Sequence, residues 1–135
     1  MKMITGRLLL LTISVITTVV GMNSCSKEQE VLNLVAPPGC DSVEISYQHD
    51  IVNIMNQTCS FSPCHVPGNG NYDFTKYEVL ADRIRSGRLE ERLLISVESP
   101  LHMPQDASNI GKGIPMDACN LYKLRLWIHQ GFKNN

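Results

Sequence analysis

The chain has 135 residues, a formal net charge of −1 and no block of basic residues. This length suits one small domain better than several, and the charge balance argues against nucleic acid as a partner. After residue 20 no apolar stretch is long enough to cross a membrane as a helix.

The N-terminal segment predicts export from the cytoplasm. Lys2 and Arg7 precede an apolar run at residues 8–20. Such a run is short for a membrane-spanning helix and typical of the core of a signal peptide. Because the basic residues leave with the signal peptide, we expect a slightly more acidic mature chain.

The apolar run ends in the sequence GMNSC, which resembles a bacterial lipobox. This resemblance implies cleavage before Cys25 and acylation of its thiol, so that the protein is held at a membrane by its lipid. An ordinary secretory signal followed by an unrelated cysteine is the alternative. We therefore expect a lipoprotein signal peptide at 1–24, a flexible tether at 25–39 and one domain at 40–135, anchored to the cell envelope and facing the periplasm or the cell surface.

Residues 46–59 show the first helical pattern. Tyr47, Ile51, Ile54 and Met55 recur on one helical face, and Ser46 is a suitable N-cap. The predicted helix runs directly into Cys59.

A second helical pattern covers residues 75–87. Tyr77, Leu80 and Ile84 share a face, and Thr75 with Glu78 has the spacing of a capping box. Gly87 is a plausible end of this helix.

The third helical pattern is the clearest. Asp117 is a good N-cap, Leu121, Leu124 and Ile128 form an apolar stripe, and Gly131 ends it. No stretch of the chain shows the sustained alternation of a strand. We therefore predict a mostly α fold of about three helices joined by long loops.

Four cysteines remain after Cys25, namely Cys40, Cys59, Cys64 and Cys119. In an oxidising compartment they could form two disulfides, with three possible connectivities. The run CSFSPCH favours another interpretation, since a histidine directly after a second cysteine is typical of covalent haem attachment. Here four residues separate the cysteines, where the usual spacer has two.

A haem would also need a second axial ligand from a distant segment. Met103 is followed by Pro104 in a polar loop segment, where filling the core is a weaker explanation for a methionine. His102 and Met116 are rival ligands, whereas His49 and His129 fall within helices and are expected at the surface.

Zinc is the other metal that this sequence could bind. Cys59, Cys64 and His65 would supply three ligands, with Cys119 or His102 as the fourth. The adjacent positions of Cys64 and His65 disfavour this site, because neighbouring side chains rarely converge on one tetrahedral ion.

Several segments resemble the small c-type cytochrome-like lipoproteins of Bacteroidetes. They are CDSVEISYQHDIVNIMNQTCSFSPCH, YDFTKYEVL, the Met-Pro pair, and DACNLYKLRLWIHQGFKNN at the C-terminal end. The resemblance covers roughly residues 40–135. It implies a class I cytochrome c-like fold around one covalently bound haem c.

This family resemblance also implies roles for individual residues. Cys59 and Cys64 would attach the haem, His65 would be the proximal ligand and Met103 the distal ligand. Cysteines corresponding to Cys40 and Cys119 imply a disulfide.

The function implied is one-electron transfer with redox partner proteins. No candidate for acid–base or nucleophilic catalysis stands out, so we expect an electron carrier and not an enzyme. Arg83, Arg85 and Arg88 could pair with haem propionates, although a solvated helix face explains them more simply. The competing hypothesis is a haem-free lipoprotein, stapled by disulfides, that acts as a binding or adaptor module.

Overall fold

The computed structural model describes residues 34–40 and 44–135. The predicted signal peptide, the lipidation site Cys25 and most of the predicted tether lie outside these residues. Within the described ranges there is no β-strand, and one isolated antiparallel bridge joins Gln105 to Gly113. In the same part of the chain, no helix combines the length and apolarity needed to span a membrane.

The described chain is mostly helical, which confirms the predicted fold class at this level. A π-helical turn at Tyr47–Ile51 leads into α1 at Val52–Thr58, and it is followed by α2 at Tyr77–Arg85, α3 at Arg88–Leu94 and α4 at Ala118–His129. The three predicted helical patterns correspond to the first helical segment, α2 and α4. Helix α3 was not predicted.

Two of the three predicted N-terminal caps are present. The Ser46 hydroxyl accepts a hydrogen bond from the His49 amide at 3.4 Å, and the Asp117 carboxylate accepts one from the Asn120 amide at 3.0 Å. The capping box predicted for Thr75 is wrong, because α2 begins after Lys76 and has no side-chain cap. The Thr75 hydroxyl instead donates to the carboxylate of Asp73.

Helix α3 follows α2 almost without a break. Gly87 ends α2 as predicted, in a left-handed conformation with φ of 71°, which glycine adopts without a steric penalty. The chain then turns directly into α3, whose Leu89 and Leu93 are buried. These two leucines join the core and bring α3 beside the segments that carry the candidate site.

The core joins the first and last helical segments through aromatic rings. The Tyr47 ring stacks on the Trp127 ring with centroids 5.5 Å apart, and the Tyr77 ring meets Tyr47 edge-on at 5.1 Å. Ile51 and Leu124 are completely buried in the same cluster. Large buried aromatic and aliphatic side chains supply most of the apolar burial in a domain of this size.

A disulfide between Cys40 and Cys119 adds a covalent link. It joins the segment before the first helical turn to the start of α4, and it is the pair that the family resemblance implied. The other two cysteines, Cys59 and Cys64, are free thiols. The helices and the disulfide therefore frame two long loops, 59–76 and 95–117, which supply most of the candidate site.

Candidate functional site

A cavity of about 470 Å³ lies between these two loops and α3. This volume falls within the range of small-molecule and cofactor sites. Its wall contains all four residues that the sequence singled out for a cofactor, namely Cys59, Cys64, His65 and Met103. The rest of the wall comes from the same two loops and from each of the four α-helices, which contribute Thr58 of α1, Arg83 of α2, Leu89 and Leu93 of α3 and Leu124 of α4 among others.

The two free cysteines have different surroundings. Cys59 directly follows α1 and continues its hydrogen bonding, since its amide donates to the Met55 carbonyl at 2.8 Å. Its side chain is buried, and this burial raises the pKa of the Cys59 thiol to about 11, with the hydrogen bond to Thr58 acting in the opposite direction. Cys64 is half-buried. Both thiols face one cavity although four residues separate them.

Backbone hydrogen bonds fold the four-residue spacer into a compact loop. The Cys64 amide donates to the Phe61 carbonyl at 2.6 Å, and the His65 amide donates to the Cys59 carbonyl at 2.9 Å. The second bond brings the chain back to the residue where the spacer began. The extra length is thus taken up by turns, and Cys59, Cys64 and His65 stay on one side of the cavity.

The His65 ring is oriented by two contacts. Its Nδ1 lies 3.0 Å from the carbonyl oxygen of Tyr72, and the ring stacks on the buried Phe74 ring with centroids 4.2 Å apart. Because a carbonyl can only accept, Nδ1 must donate, which leaves the lone pair of a neutral ring on Nε2. Burial lowers the pKa of His65 below its ordinary value, and the Tyr72 hydrogen bond offsets part of this effect. The ring is therefore prepared to act as a ligand through Nε2.

Met103 and His102 are neighbours in sequence but have different surroundings. Met103 belongs to the cavity wall, and its amide donates to the Arg92 carbonyl on α3 at 2.9 Å. His102 is 6% exposed and is not part of the wall. Its Nδ1 lies 2.9 Å from the Ile95 carbonyl and its Nε2 lies 3.1 Å from the Ile114 carbonyl, so both ring nitrogens are already engaged.

The cavity wall is positively charged. It contains Arg83, Arg88 and Arg92 but no aspartate or glutamate, and Arg88 pairs with Glu91, which lies outside the wall, at 2.9 Å. The Arg83 guanidinium lies over the Tyr72 ring, 3.9 Å from its centroid, which is a cation–π geometry. Arg85, which the sequence grouped with Arg83, lies outside the wall and pairs with Asp82 at 2.6 Å.

Sequence reasoning missed Arg92 and Phe74 as site residues. Recognition of α3 would have identified Arg92, since it lies one helical turn after Arg88 and therefore on the same face. For Phe74 no local signal was available, because its stacking on His65 depends on how the 59–76 loop folds back.

The residues proposed for zinc do not form a zinc site in this fold. Cys119 is in a disulfide and both ring nitrogens of His102 face carbonyl oxygens. In the part of the chain that the structure describes, no three His, Cys, Asp or Glu side chains are grouped so that they could hold a metal ion. His49 and His129 are exposed, as the sequence predicted.

No protein-family model, curated protein or solved structure matches this chain significantly.

Proposed function

We propose that this protein is an exported, lipid-anchored c-type cytochrome that binds one haem covalently and carries one electron at a time. The observation that carries the proposal is the shared cavity. Cys59, Cys64 and His65 lie in its wall together with Met103, which comes from a different loop. These are two thiols, an imidazole and a thioether, and together they match the attachment and ligand set of a c-type haem.

Each residue has surroundings that suit its role. The Cys59 and Cys64 thiols would add across the two vinyl groups, with each S–H bond replaced by S–C and C–H bonds. His65 presents Nε2 because Nδ1 donates to the Tyr72 carbonyl, and Met103 is a neutral, soft donor. When bound, the haem supplies an iron that gains or loses one electron.

The arrangement of helices supports a class I cytochrome c-like fold. The first and last helical segments pack through Tyr47 and Trp127, and the candidate ligands come from the loop after the first segment and the loop before the last. The Cys40–Cys119 disulfide holds these same ends together.

The arginines of the cavity wall suit the acidic groups of haem. Arg83 and Arg92 would offset the charge of the two propionates, whereas Arg88 is already paired with Glu91. A positive surrounding also favours an iron of lower charge. The wall further includes exposed apolar side chains, of which Leu101 is 53% exposed and Ile110 is 66% exposed. We propose that this side of the cavity faces the redox partner proteins.

A carrier fits the cavity better than an enzyme. A haem enzyme needs an open position at the iron for its substrate, and Met103 would fill that position. The lipid at Cys25 would keep the carrier at the envelope membrane, on the periplasmic side or at the cell surface.

The proposal is tested by producing the chain in a host that has haem-ligation machinery. We expect a red protein that keeps its colour after acid–acetone extraction, because thioether bonds survive this treatment. The double variant Cys59→Ser/Cys64→Ser should lose the colour on extraction. The matched double variant Cys40→Ser/Cys119→Ser removes the same number of sulfur atoms outside the cavity and should keep it. A colourless wild-type protein would reject the cytochrome and favour the haem-free binding or adaptor module.

A further inference from the structure

His102 is the one buried polar or charged side chain among the described residues. It lies outside the cavity wall and contacts both ends of the loop that contains Met103. Its two ring nitrogens lie against the Ile95 and Ile114 carbonyls, at 2.9 and 3.1 Å. Ile95 directly follows α3, and Ile114 lies at the far end of the loop that leads to α4. One ring therefore bridges both ends of the loop 95–114, in which Met103 lies.

The backbone around Met103 depends on the same closure. The Met103 amide donates to the Arg92 carbonyl at 2.9 Å, and the Ile114 amide donates to the Pro104 carbonyl at 3.0 Å. The His102 ring and these two bonds hold the residues on both sides of the Met103 side chain. Other hydrogen bonds lie within the loop, such as those from the Asp106 amide to the Lys112 carbonyl at 2.9 Å and from the Gln105 side-chain amide to the Pro100 carbonyl at 2.8 Å, but they do not join Ile95 to Ile114.

Close packing at Gly113 shows how tightly the loop closes on His102. A Cβ atom at this position would lie 2.3 Å from the Val97 carbonyl oxygen and 2.9 Å from Cδ2 of His102. Only glycine leaves room for this approach. The structure thus brings the two ends of the loop together at the edge of the His102 ring.

We propose that His102 is a positioning residue for Met103, since its ring holds the loop 95–114 closed and thereby keeps the Met103 thioether at the cavity wall. The inference rests on the proposed function, in which Met103 is the distal ligand. A neutral imidazole has one N–H and donates to one of the two carbonyls at a time. Without the ring, that carbonyl would lose its donor, and leaving a buried acceptor without a partner costs more than the mean value of a hydrogen bond. The loop would then open and Met103 would leave the wall.

Amide hydrogen exchange on the full chain tests this role whether or not haem is attached. In His102→Phe, which keeps a ring but removes both nitrogens, we expect the Met103 and Ile114 amides to exchange at least about tenfold faster. The Leu121 amide, which donates to the carbonyl of the N-cap Asp117 at the start of α4, should be unchanged. His129→Phe makes the same replacement at an exposed histidine and should leave all three amides unchanged.

Two further variants keep the test decisive if His102→Phe does not fold. His102→Gln retains a donor for one carbonyl and should restore part of the protection. Gly113→Ala leaves the His102 ring intact but obstructs the closure, and it should accelerate exchange at the same amides. Unchanged protection at Met103 and Ile114 in the folded variants would overturn the inference.

The haem-loaded protein gives a second readout. In His102→Phe we expect covalently attached haem together with loss of the far-red absorption band of methionine-ligated ferric haem and a lower reduction potential. If the variant keeps both the band and the amide protection, His102 does not position Met103, while the cytochrome proposal stands. If the wild type is colourless, the cytochrome proposal fails, and the amide exchange still decides whether His102 holds the loop.

Discussion

The His65 ring and the Tyr72 carbonyl are 3.0 Å apart, and this contact determines which ring nitrogen can bind a metal. Since Nδ1 donates to the carbonyl, Nε2 of the neutral ring keeps its lone pair. The stacking of His65 on the buried Phe74 further restricts the ring. The orientation is thus present in the protein before any ligand binds, which reduces the conformational entropy that binding would cost.

The role of His65 can be tested against an exposed histidine of the same chain. We expect His65→Ala to keep covalently attached haem but to show an altered absorption spectrum, because an axial ligand is missing while both thioethers remain. His49→Ala, at an exposed position, should have the wild-type spectrum. If the two variants have the same spectrum, His65 is not a ligand.

The assignment of Met103 can be tested with a matched methionine. Met103→Leu keeps the size and apolar character of the side chain but removes sulfur, so we expect the reduction potential to fall and the methionine–iron absorption band to disappear. Met116→Leu makes the same change at a methionine that packs against the core outside the cavity wall. Its potential should match that of the wild type, and the assignment fails if Met103→Leu does so as well.

The charge of the cavity wall should affect the potential. Arg83→Gln removes a positive charge from the wall, so we expect it to lower the reduction potential, because the reduced iron has one positive charge less and is favoured by positive surroundings. Arg85 belongs to the same helix but pairs with Asp82 outside the wall. Arg85→Gln should have little effect on the potential, and equal shifts in both variants would contradict a specific role for the wall.

The Cys40–Cys119 disulfide should contribute strongly to stability. It closes a sequence separation of 79 residues, for which chain entropy predicts about 4 kcal/mol. We expect Cys40→Ser/Cys119→Ser to lower the free energy of unfolding by about this amount in urea titration. Reduction of the wild-type disulfide is the control and should have a similar effect. A loss of less than about 1 kcal/mol would show that noncovalent packing already joins these segments.

The two free thiols should differ in reactivity when the protein is made without haem attachment. Burial raises the pKa of the Cys59 thiol to about 11, and only the thiolate reacts with iodoacetamide. At pH 8 we expect Cys59 to be alkylated much more slowly than the half-buried Cys64, as measured by mass spectrometry of their peptides. The rate at Cys59 should rise with pH toward 11, whereas in denaturant the two rates should become similar. Equal rates in the folded protein would contradict the burial of Cys59.

The raised pKa of the Cys59 thiol also makes the free energy of unfolding depend on pH. An unfolded thiol ionises from about pH 8.5 upward, whereas the folded Cys59 keeps its proton to higher pH. The unfolded state therefore binds fewer protons in this interval, and this group lowers the free energy of unfolding as the pH rises toward 11. Below about pH 8.5 its contribution is constant.

Sequence alone determined the local features of this protein. The first helical segment, α2 and α4 were predicted because their signals are local. Apolar periodicity involves residues three or four positions apart, and N-caps such as Ser46 and Asp117 bond to amides within the next few residues. Helix α3 was missed, since seven residues with buried leucines at only two positions give too little periodicity. The capping box at Thr75 was wrong because α2 begins one residue later, after Lys76, and Thr75 instead belongs to the preceding turn, where its hydroxyl donates to Asp73.

The tertiary structure decided which distant groups share one cavity. The sequence favoured Met103 but left its neighbour His102 as a rival ligand. Packing separates the two, because both ring nitrogens of His102 lie against backbone carbonyls whereas Met103 lies in the cavity wall. Likewise, Arg92 lines the cavity and Arg85 does not, because the packing of α2 and α3 determines which face of each helix meets the loops. Hydrogen-bond distances between residues far apart in sequence depend on the whole fold, and a pattern confined to one segment carries no information about them.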